Sequence, residues 1–378
     1  MKLYRTKIPL NELITENKIL SIAIIPIFNS LFFIVRFFSK LFGSVGNSVV
    51  VIFLHRLGDT VFTIPAIREI QKHFGKNINI MCYAESIPVY KQVFKDINFC
   101  VLNRDDFKLK GRIAGKNAKI KLKNLNPITI IDLTGSMASA SLIFNSKAKK
   151  IIGTNGKPFR KIYDQYVVRR KSPHLADMYL DIISSVTNYS KENRLLKLPS
   201  STKFNGRILI HPFAGWKEKE WNLKKFINLA EKLKEYGKVS FLVKGDEVSI
   251  DIIEEIKYAG FEVFQSLTVE ELVEVINDCS FFIGNDSGPL NIANFLSKPT
   301  FTIFGPTNPV YTITGSTHQQ YIQQKLTCTN QSYEQYCLVG GAVYCCSGTQ
   351  CMNLLSVETV YNKIISLIKN DLEKIIIN

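Results

Sequence analysis

Several common signatures are missing from this 378-residue chain, and each absence removes a class of protein. No Gly-x-Gly-x-x-Gly follows the first apolar run at residues 49–54, which argues against a dinucleotide-dependent oxidoreductase. No arginine-rich run alternates with aromatic residues, so nucleic acid is not favoured as a partner. No tandem repeat of roughly 20–50 residues is visible. The amino terminus lacks the small-residue cleavage site of a secretory signal, so a reducing cytoplasm is the expected compartment.

The chain does contain enough apolar sequence for two domains and a large excess of positive charge. Apolar residues make up 46% of the sequence, and its length exceeds that of one typical domain. Lys and Arg number 48 against 32 Asp and Glu, which gives a formal net charge of +16. This balance favours an anionic partner such as a phosphorylated lipid, a nucleotide or a membrane surface. Alternatively, the positive charge reflects only a general richness in Lys along the whole chain and indicates no particular partner.

Eight cysteines are present, and five of them lie late in the chain. Cys82, Cys100 and Cys279 stand in apolar stretches and are expected to be small core residues. The spacings of the late cysteines match no zinc pattern well. These late residues are Cys328, Cys337, Cys345, Cys346 and Cys351. Packing is their expected role, with a metal site and a disulfide as alternatives, and we predict no metal site and no cofactor.

An apolar extension precedes the first predicted domain. Residues 19–43 are strongly apolar, contain Pro26 and reach Arg36 near their end. A helix that spans a bilayer needs roughly 20 apolar residues, more than this run supplies before Arg36. Three interpretations stay open: a helix in the membrane interface, a spanning helix, and a segment packed on the protein. We predict that residues 1–46 form a membrane-associating extension that tethers the protein to the inner face of a membrane.

Two series of strand-like and helix-like stretches follow the extension, with a polar linker between them. Apolar runs alternate with helical patterns from residue 48 to about 195 and again from residue 207 onward. This alternation predicts parallel sheets with helices on both faces, and therefore an α/β protein with two Rossmann-like lobes. The predicted boundaries are an N-terminal domain at 47–198, a C-terminal domain at 206–356 and a closing helix at 357–378.

The first lobe has an acid directly after its first predicted strand. The run 49–54 is typical of a buried parallel strand, and Gly58 then permits a turn that a Cβ would hinder. Asp59 follows at once, and a helix-like segment continues from there. Open α/β sheets keep their ligands at the carboxyl ends of the strands. Asp59 is therefore a candidate site residue.

The second lobe repeats this arrangement at residues 284–291. The stretch follows an apolar strand and opens a helix, and it contains Asp286, Ser287 and Gly288. Helix amino termini with free N–H groups and a positive dipole end bind phosphate well. The alternative is an ordinary capped helix, because Asp and Ser are also common capping residues.

Two more loops of the second lobe follow predicted strands. In residues 211–221, Gly215 allows a ligand to approach the backbone, and Lys219 supplies a positive charge that suits a diphosphate. A solvated lysine is the alternative. The other loop, residues 244–247, ends in Glu247. An acid at this place in a nucleotide-binding enzyme often binds ribose hydroxyls. The simpler interpretation is that Glu247 caps the helix that follows.

Taken in order, these stretches resemble the heptosyltransferase family, glycosyltransferase family 9. The matching stretches are Arg56-Leu57-Gly58-Asp59 with Pro65-Ala66, His211-Pro212-x-Ala214-Gly215 with Lys219-x-Trp221, Asp286-Ser287-Gly288-Pro289 with Ala293, and Phe304-Gly305-Pro306-Thr307-x-Pro309. The resemblance implies the GT-B fold, in which two Rossmann-like lobes with parallel sheets face each other across a cleft. It also implies transfer of a sugar from a nucleotide sugar, typically ADP-heptose, to the lipopolysaccharide inner core, with inversion at the anomeric carbon.

The resemblance assigns a role to each matching residue. It implies that Asp59 is the general base for the acceptor, with Arg56 and Gly58 on the acceptor side. Donor-binding roles fall on Gly215, Lys219, Glu247, Asp286, Ser287 and Gly288. Among these, the resemblance implies that Lys219 steadies the donor phosphates, that Glu247 holds the ribose, and that residues 286–288 grip the sugar and diphosphate. Asn291 stands where the family commonly has His, which leaves other nucleotide sugars open.

We therefore predict an inverting glycosyltransferase that adds a heptose or similar sugar to an anionic lipopolysaccharide core acceptor. Neither half has an Asp-x-Asp pair, so the donor is expected to bind without a metal. The predicted location is cytoplasmic, peripheral to or anchored at the inner membrane. Two alternatives stay open: a nucleotide-sugar epimerase of GT-B-like architecture, and a catalytically silent GT-B protein that binds glycolipid or nucleotide.

Overall fold

A computed structural model describes most of the chain: residues 18–43, 46–75, 77–168, 174–187, 206–243, 248–329, 337–339, 342–343 and 348–376. The chain divides into two units. Within the described ranges, the first unit comprises the residues from 18 to 187 together with 339, 342 and 343, and the second comprises those from 206 to 338 and from 348 to 376. Glu247 and the loop 244–247 lie outside the described residues.

The first unit is built on a parallel sheet. Its strands are β1 (Ser48–Phe53), β2 (Ile78–Tyr83), β3 (Asn98–Leu102), β4 (Phe107–Lys108), β5 (Ile113–Ala114), β6 (Pro127–Asp132), β7 (Lys150–Gly153) and β8 (Gln165–Tyr166). Its helices are α1 (Lys18–Leu41), α2 (Leu57–Phe74), α3 (Ile87–Lys91), α4 (Lys116–Asn124), α5 (Met137–Ile143) and α6 (Leu175–Ser184). Six strands form one sheet in the order β3-β2-β1-β6-β7-β8, while β4 and β5 form a small antiparallel pair.

The second unit repeats this topology. Its strands are β9 (Arg207–His211), β10 (Lys238–Leu242), β11 (Glu262–Phe264), β12 (Phe281–Asn285), β13 (Thr300–Phe304) and β14 (Gln319–Gln323). Its helices are α7 (Leu223–Leu233), α8 (Ile250–Tyr258), α9 (Val269–Asp278), α10 (Gly288–Phe295), α11 (Gln350–Asn353) and α12 (Val357–Ile376). The sheet order is β11-β10-β9-β12-β13-β14, with parallel pairing throughout. A further short pair, β15 (Leu338–Val339) with β16 (Ala342–Val343), lies outside the two large sheets, and its residues from 339 onward group with the first unit.

The amino-acid pattern explains why both sheets are parallel and central. Every residue of β1 is buried, and the same holds for β2, β12 and β13. Strands that are buried on both faces need helices on both sides, and only crossover connections supply them. Both units have the strand order of a dinucleotide-type Rossmann fold. The predicted α/β class with two Rossmann-like parallel sheets is confirmed.

The closing helix α12 belongs to the second unit. Its residues Val360 and Ile364 are buried in the same core cluster as Phe226 and Leu229 of α7. Trp221 lies in this cluster too, and its indole N–H donates to the carbonyl oxygen of Leu355 at 3.0 Å. The helix is therefore part of the hydrophobic core rather than an appendage.

The apolar extension contains one long helix, α1, which packs against the first unit. Phe32 lies with its ring centroid 5.8 Å from that of Phe159 and 5.9 Å from that of Phe144. Arg36 is only 4% exposed and forms an ion pair with Asp164 at 2.6 Å. Of the helices in the part of the chain that the structure describes, none combines the length and hydropathy needed to cross a membrane.

Candidate active site

Each sheet has one point where the direction of winding reverses. In the first sheet this point lies between β1 and β6, and in the second it lies between β9 and β12. The loops that follow such a pair of strands diverge, and the crevice at the carboxyl ends of the strands is where open α/β sheets bind ligands. The predicted site residues of each unit can therefore be judged by their distance from this point.

In the first unit, Asp59 lies in the first turn of α2, six residues after the carboxyl end of β1. Arg56 is the N-cap residue of α2 in an extended conformation, and its carbonyl oxygen accepts from the Asp59 N–H at 3.0 Å. Gly58 is buried, Arg56 is exposed, and Asp59 is partly exposed in the first turn of the helix. Carboxylates are stabilised at helix amino termini by the positive end of the dipole. The geometry thus holds a partly accessible carboxylate at the switch point.

A buried acid that the sequence interpretation missed lies on the other side of this switch point. Asp132 ends β6 and is fully buried. Its carboxylate accepts from the N–H groups of Thr134 and Gly135 at 2.9 and 3.1 Å, and from the Tyr163 hydroxyl at 2.7 Å. Burial raises the pKa of Asp132, and the hydrogen bonds from Tyr163, Gly135, Ser139 and Thr134 oppose that rise.

The turn that Asp132 stabilises contacts the chain segment leading to Asp59. The Thr134 hydroxyl accepts from the Leu54 N–H at 2.9 Å, and the Thr134 carbonyl lies 3.0 Å from Nε2 of His55. A Cβ at Gly153 on the neighbouring strand would come within 2.8 Å of both the Asp132 carbonyl oxygen and the Tyr163 ring. Asp132 is therefore a positioning residue that fixes the two loops of the first-unit switch point relative to each other.

Replacing Asp132 with Ala is expected to lower the free energy of unfolding by about 2–4 kcal/mol, because buried donors lose their acceptor. Asp132→Asn keeps an acceptor and is the matched control. Burial raises the pKa of Asp132 in the folded state above its ordinary value of 3.8. As pH rises, the Asp132 carboxyl therefore loses its proton in the unfolded chain before it does so in the folded protein. The wild type should therefore lose stability relative to Asp132→Asn as pH rises above about 4. Denaturant unfolding at several pH values measures this, and a constant difference between the two would contradict it.

In the second unit, three loops converge on Asp286. The Lys219 ammonium lies 2.6 Å from Oδ2 of Asp286, and the same oxygen accepts from the Thr307 hydroxyl at 2.8 Å. Lys219 follows β9, Asp286 follows β12 and Thr307 follows β13, three adjacent strands of the sheet. The Lys219 ammonium also lies 4.6 Å from the ring centroid of Trp216. The structure thus brings together Lys219 and Asp286, which the sequence placed 67 residues apart.

The floor of this crevice is held by Asn285, another residue that the sequence interpretation did not single out. Its side-chain amide N–H donates to the Pro212 carbonyl oxygen at 2.8 Å, and its side-chain oxygen accepts from the backbone N–H of Trp221 at 3.1 Å. The two loops are therefore joined across the switch point on both sides of Lys219. A Cβ at Gly284 would lie 2.8 Å from the His211 carbonyl oxygen, so only glycine permits this close pairing of β12 with β9.

The amino terminus of α10 has buried polar side-chain atoms that no described residue satisfies. Ser287 is the N-cap residue, yet its hydroxyl makes no capping hydrogen bond. Within the described residues this buried hydroxyl and Oδ1 of the buried Asn291 have no hydrogen-bond partner. Gly288 begins the helix and Gly215 lies exposed on the loop after β9. At a buried polar atom without a partner, a ligand or an ordered water can supply the missing hydrogen bond.

The described residues contain no cluster of three or more His, Cys, Asp or Glu side chains arranged to hold a metal ion. Of the late cysteines, Cys337 and Cys351 are buried and Cys328 is partly buried. Cys345 and Cys346 lie outside the described residues. The prediction that the site uses no metal therefore stays a prediction.

Comparison with known proteins gives this geometry a family. Residues 121–339 match the sequence profile of glycosyltransferase family 9 (heptosyltransferase). Lipooligosaccharide heptosyltransferase 2 of Campylobacter jejuni is 27% identical in an alignment of 277 residues, which covers 68% of this chain and 82% of that protein.

Solved structures share the fold. The structure of the E. coli ADP-heptose LPS heptosyltransferase II aligns with a TM-score of 0.67 and 16% identity, over 86% of this chain and 99% of that one. E. coli heptosyltransferase WaaC with ADP-2-deoxy-2-fluoro heptose aligns with a TM-score of 0.62 and 15% identity, over 84% and 99%. The GT-B class predicted from the sequence is confirmed by these matches. Since the profile match covers more than half of the chain, the protein is a glycosyltransferase that belongs to glycosyltransferase family 9, the heptosyltransferase family.

Proposed function

We propose that this enzyme transfers a heptose from ADP-heptose to a lipopolysaccharide core acceptor, with inversion at the anomeric carbon. The observation that carries the proposal is the set of groups at the two switch points. The first unit presents the carboxylate of Asp59, and the second presents the Lys219–Asp286 pair beside the polar atoms at the start of α10 that no described residue satisfies. The named relatives, which are heptosyltransferases, support the choice of sugar and nucleotide.

Asp59 acts on the acceptor in this mechanism. A sugar hydroxyl is a poor nucleophile at neutral pH, so a carboxylate within hydrogen-bond reach helps by taking its proton as the new C–O bond forms. A single displacement by that hydroxyl inverts the anomeric carbon. Arg56 and Gly58 flank the base: Arg56 is exposed and can meet an anionic acceptor, while Gly58 sits buried in the first turn of α2.

The second unit handles the donor. As the glycosidic bond to the diphosphate breaks, negative charge grows on the phosphate oxygens. The Lys219 ammonium, the Ser287 hydroxyl and the N–H groups that open α10 are donors that can offset this charge without a metal. Asp286 holds Lys219 in place and accepts from sugar hydroxyls, and Gly215 lets the diphosphate approach the loop after β9. Glu247 is proposed to hold the ribose.

A panel of nucleotide sugars tests the donor assignment. ADP-heptose and ADP are expected to raise the midpoint of thermal unfolding, because a ligand that binds only the folded state stabilises it. UDP- and GDP-sugars should give smaller shifts at equal concentration, and a chelator should leave every shift unchanged. Protection by UDP-sugars alone would reject ADP-heptose as the donor.

An acceptor-free reaction separates transfer from epimerisation. We expect no conversion of the nucleotide sugar until a lipopolysaccharide core acceptor lacking the heptose is added. Conversion to an epimer without any acceptor would identify an epimerase instead. Because the acceptor is lipid-linked, we place the enzyme at the cytoplasmic surface of the inner membrane.

A further inference from the structure

The described side chains of helix α1, from residue 25 onward, pack against the first unit on one face. On that face the Arg36 guanidinium donates to the carbonyl oxygens of Ser146 and Ala148 at 2.9 and 2.5 Å, in addition to its ion pair with Asp164. Asn29, two turns earlier, donates to the Lys157 carbonyl and accepts from the Lys161 N–H. These polar contacts fix the rotation of the helix about its axis, so the identity of its outward face is fixed as well.

The outward face is an uninterrupted apolar stripe. It consists of Ile27, Leu31, Ile34, Phe38 and Leu41, spaced four, three, four and three residues apart, which places them on one side of a helix. Each of these side chains is between 52% and 67% exposed. Phe33, Phe37 and Phe42 extend the exposed apolar surface on either side. Soluble proteins rarely leave an apolar surface of this extent uncovered unless it binds a partner.

Positive charge lies beside the apolar surface. The sequence of residues 18–43 and 137–168 contains one acid, Asp164, which is bound by both Arg36 and Lys40. The segments that hold the helix carry a set of exposed cations, here called the basic rim: Lys147, Lys149, Lys157, Arg160 and Lys161. The Lys161 ammonium lies 5.9 Å from the ring centroid of Phe33, so rim and apolar surface adjoin each other.

We infer that α1 lies in the plane of an anionic bilayer surface, with the apolar stripe among the upper acyl chains and the basic rim at the level of the lipid phosphates. Aromatic and aliphatic side chains on one face, flanked by Lys and Arg, are the composition that interfacial helices use. Anionic headgroups attract a polybasic border. A second copy of the chain fits less well, because stripe-to-stripe contact would bring two basic rims together. The inference deepens the proposed location and does not depend on which sugar is transferred.

Flotation of the full-length protein with lipid vesicles tests this inference. Binding to vesicles that contain phosphatidylglycerol should exceed binding to pure phosphatidylcholine vesicles and should fall as salt is raised. The triple variant Leu31→Ser, Ile34→Ser, Phe38→Ser should lower the partition coefficient at least about ten-fold. Lys157→Gln with Lys161→Gln should weaken binding to anionic vesicles alone. The matched control is Ile250→Ser with Leu354→Ser, two exposed apolar side chains of the second unit, which should leave binding unchanged.

The readouts separate this inference from the proposed function. Thermal midpoint and transfer to a detergent-dispersed acceptor are expected to be unchanged in the stripe variant, because its side chains are exposed and far in sequence from the donor loops. Unchanged vesicle binding by the stripe variant would overturn the inference. The inference would also be overturned if the wild-type protein did not bind vesicles but formed dimers, and if the stripe variant disrupted those dimers. If neither the wild type nor any variant transferred the sugar, while vesicle binding followed the pattern predicted above, only the proposed function would be rejected.

Discussion

Replacing Asp59 with Asn is expected to lower kcat for sugar transfer by about 10²–10⁴-fold, the usual contribution of a positioned general base. Asn has nearly the shape of Asp but cannot take a proton from the acceptor hydroxyl. The loss should appear in kcat, with the KM for the nucleotide sugar nearly unchanged, because Asp59 lies in the first unit and the donor loops lie in the second. Donor protection against thermal unfolding should stay at the wild-type level. Steady-state kinetics with both substrates varied measures both parameters.

The same helix offers a control for this experiment. Glu69 is another acid of α2, and it forms an ion pair with Lys72 at 2.6 Å. Glu69→Gln removes one negative charge from the helix without touching its first turn, so its kcat should remain within about two-fold of wild type. If Asp59→Asn and Glu69→Gln lose similar activity, Asp59 only contributes charge to the helix. If Asp59→Asn turns over normally, Asp59 is not the base.

Replacing Lys219 with Ala is expected to raise the KM for the nucleotide sugar by about 10- to 100-fold. A hydrogen bond to a charged partner is worth about 1.5–3 kcal/mol, and the Lys219 ammonium is held in the crevice with its side chain only 16% exposed. The kcat should fall as well, because the charge on the departing diphosphate is larger in the transition state than in the bound donor. Thermal protection by ADP should shrink in parallel with the loss of affinity.

The substitution also leaves the buried Asp286 carboxylate without its cation, so a structural effect must be separated from a binding effect. Lys217→Ala is the matched control, since Lys217 lies two residues earlier on the same short helical turn and its side chain is 88% exposed. Thr307→Val removes the other donor to Asp286 but leaves the cation. A role in packing alone predicts similar loss of thermal stability for Lys219→Ala and Thr307→Val, with an unchanged KM in both. An unchanged KM in Lys219→Ala would contradict the assignment to the diphosphate.

Much of the fold was predictable because its central strands carry a strong signal. Runs such as residues 49–54 and 208–210 are apolar without interruption, and that is what burial on both faces of a parallel sheet demands. Two of the edge strands, β8 and β14, gave no such signal. β14 contains three glutamines in five residues, and β8 has only two residues, because an edge strand is solvated on one side and needs no continuous apolar run. The first residue of α2 was also hard to predict, because Asp59 lies inside the first helical turn rather than before it.

The site was predictable in its parts but not in its contacts. The sequence shows that acids and a lysine follow apolar strands, and parallel topology places such residues at one edge of a sheet. It does not show that β9 and β12 are neighbours, because β10 and β11 intervene in the chain. Lys219 and Asp286 can form their ion pair only because β9 and β12 are adjacent strands. Asp132 was missed for the same reason: its partner Tyr163 stands 31 residues later, beyond the next strand.

The most direct test of the account is transfer by the purified full-length enzyme. The reaction combines ADP-heptose with a lipopolysaccharide core that lacks the heptose, and mass spectrometry follows the lipid while ADP release is measured in parallel. We predict that the lipid gains the mass of one heptose, that one ADP is released for each lipid converted, and that neither change occurs when either substrate is left out. A lipid of unchanged mass in the presence of a donor that demonstrably binds, or ADP release that needs no acceptor, would contradict the account.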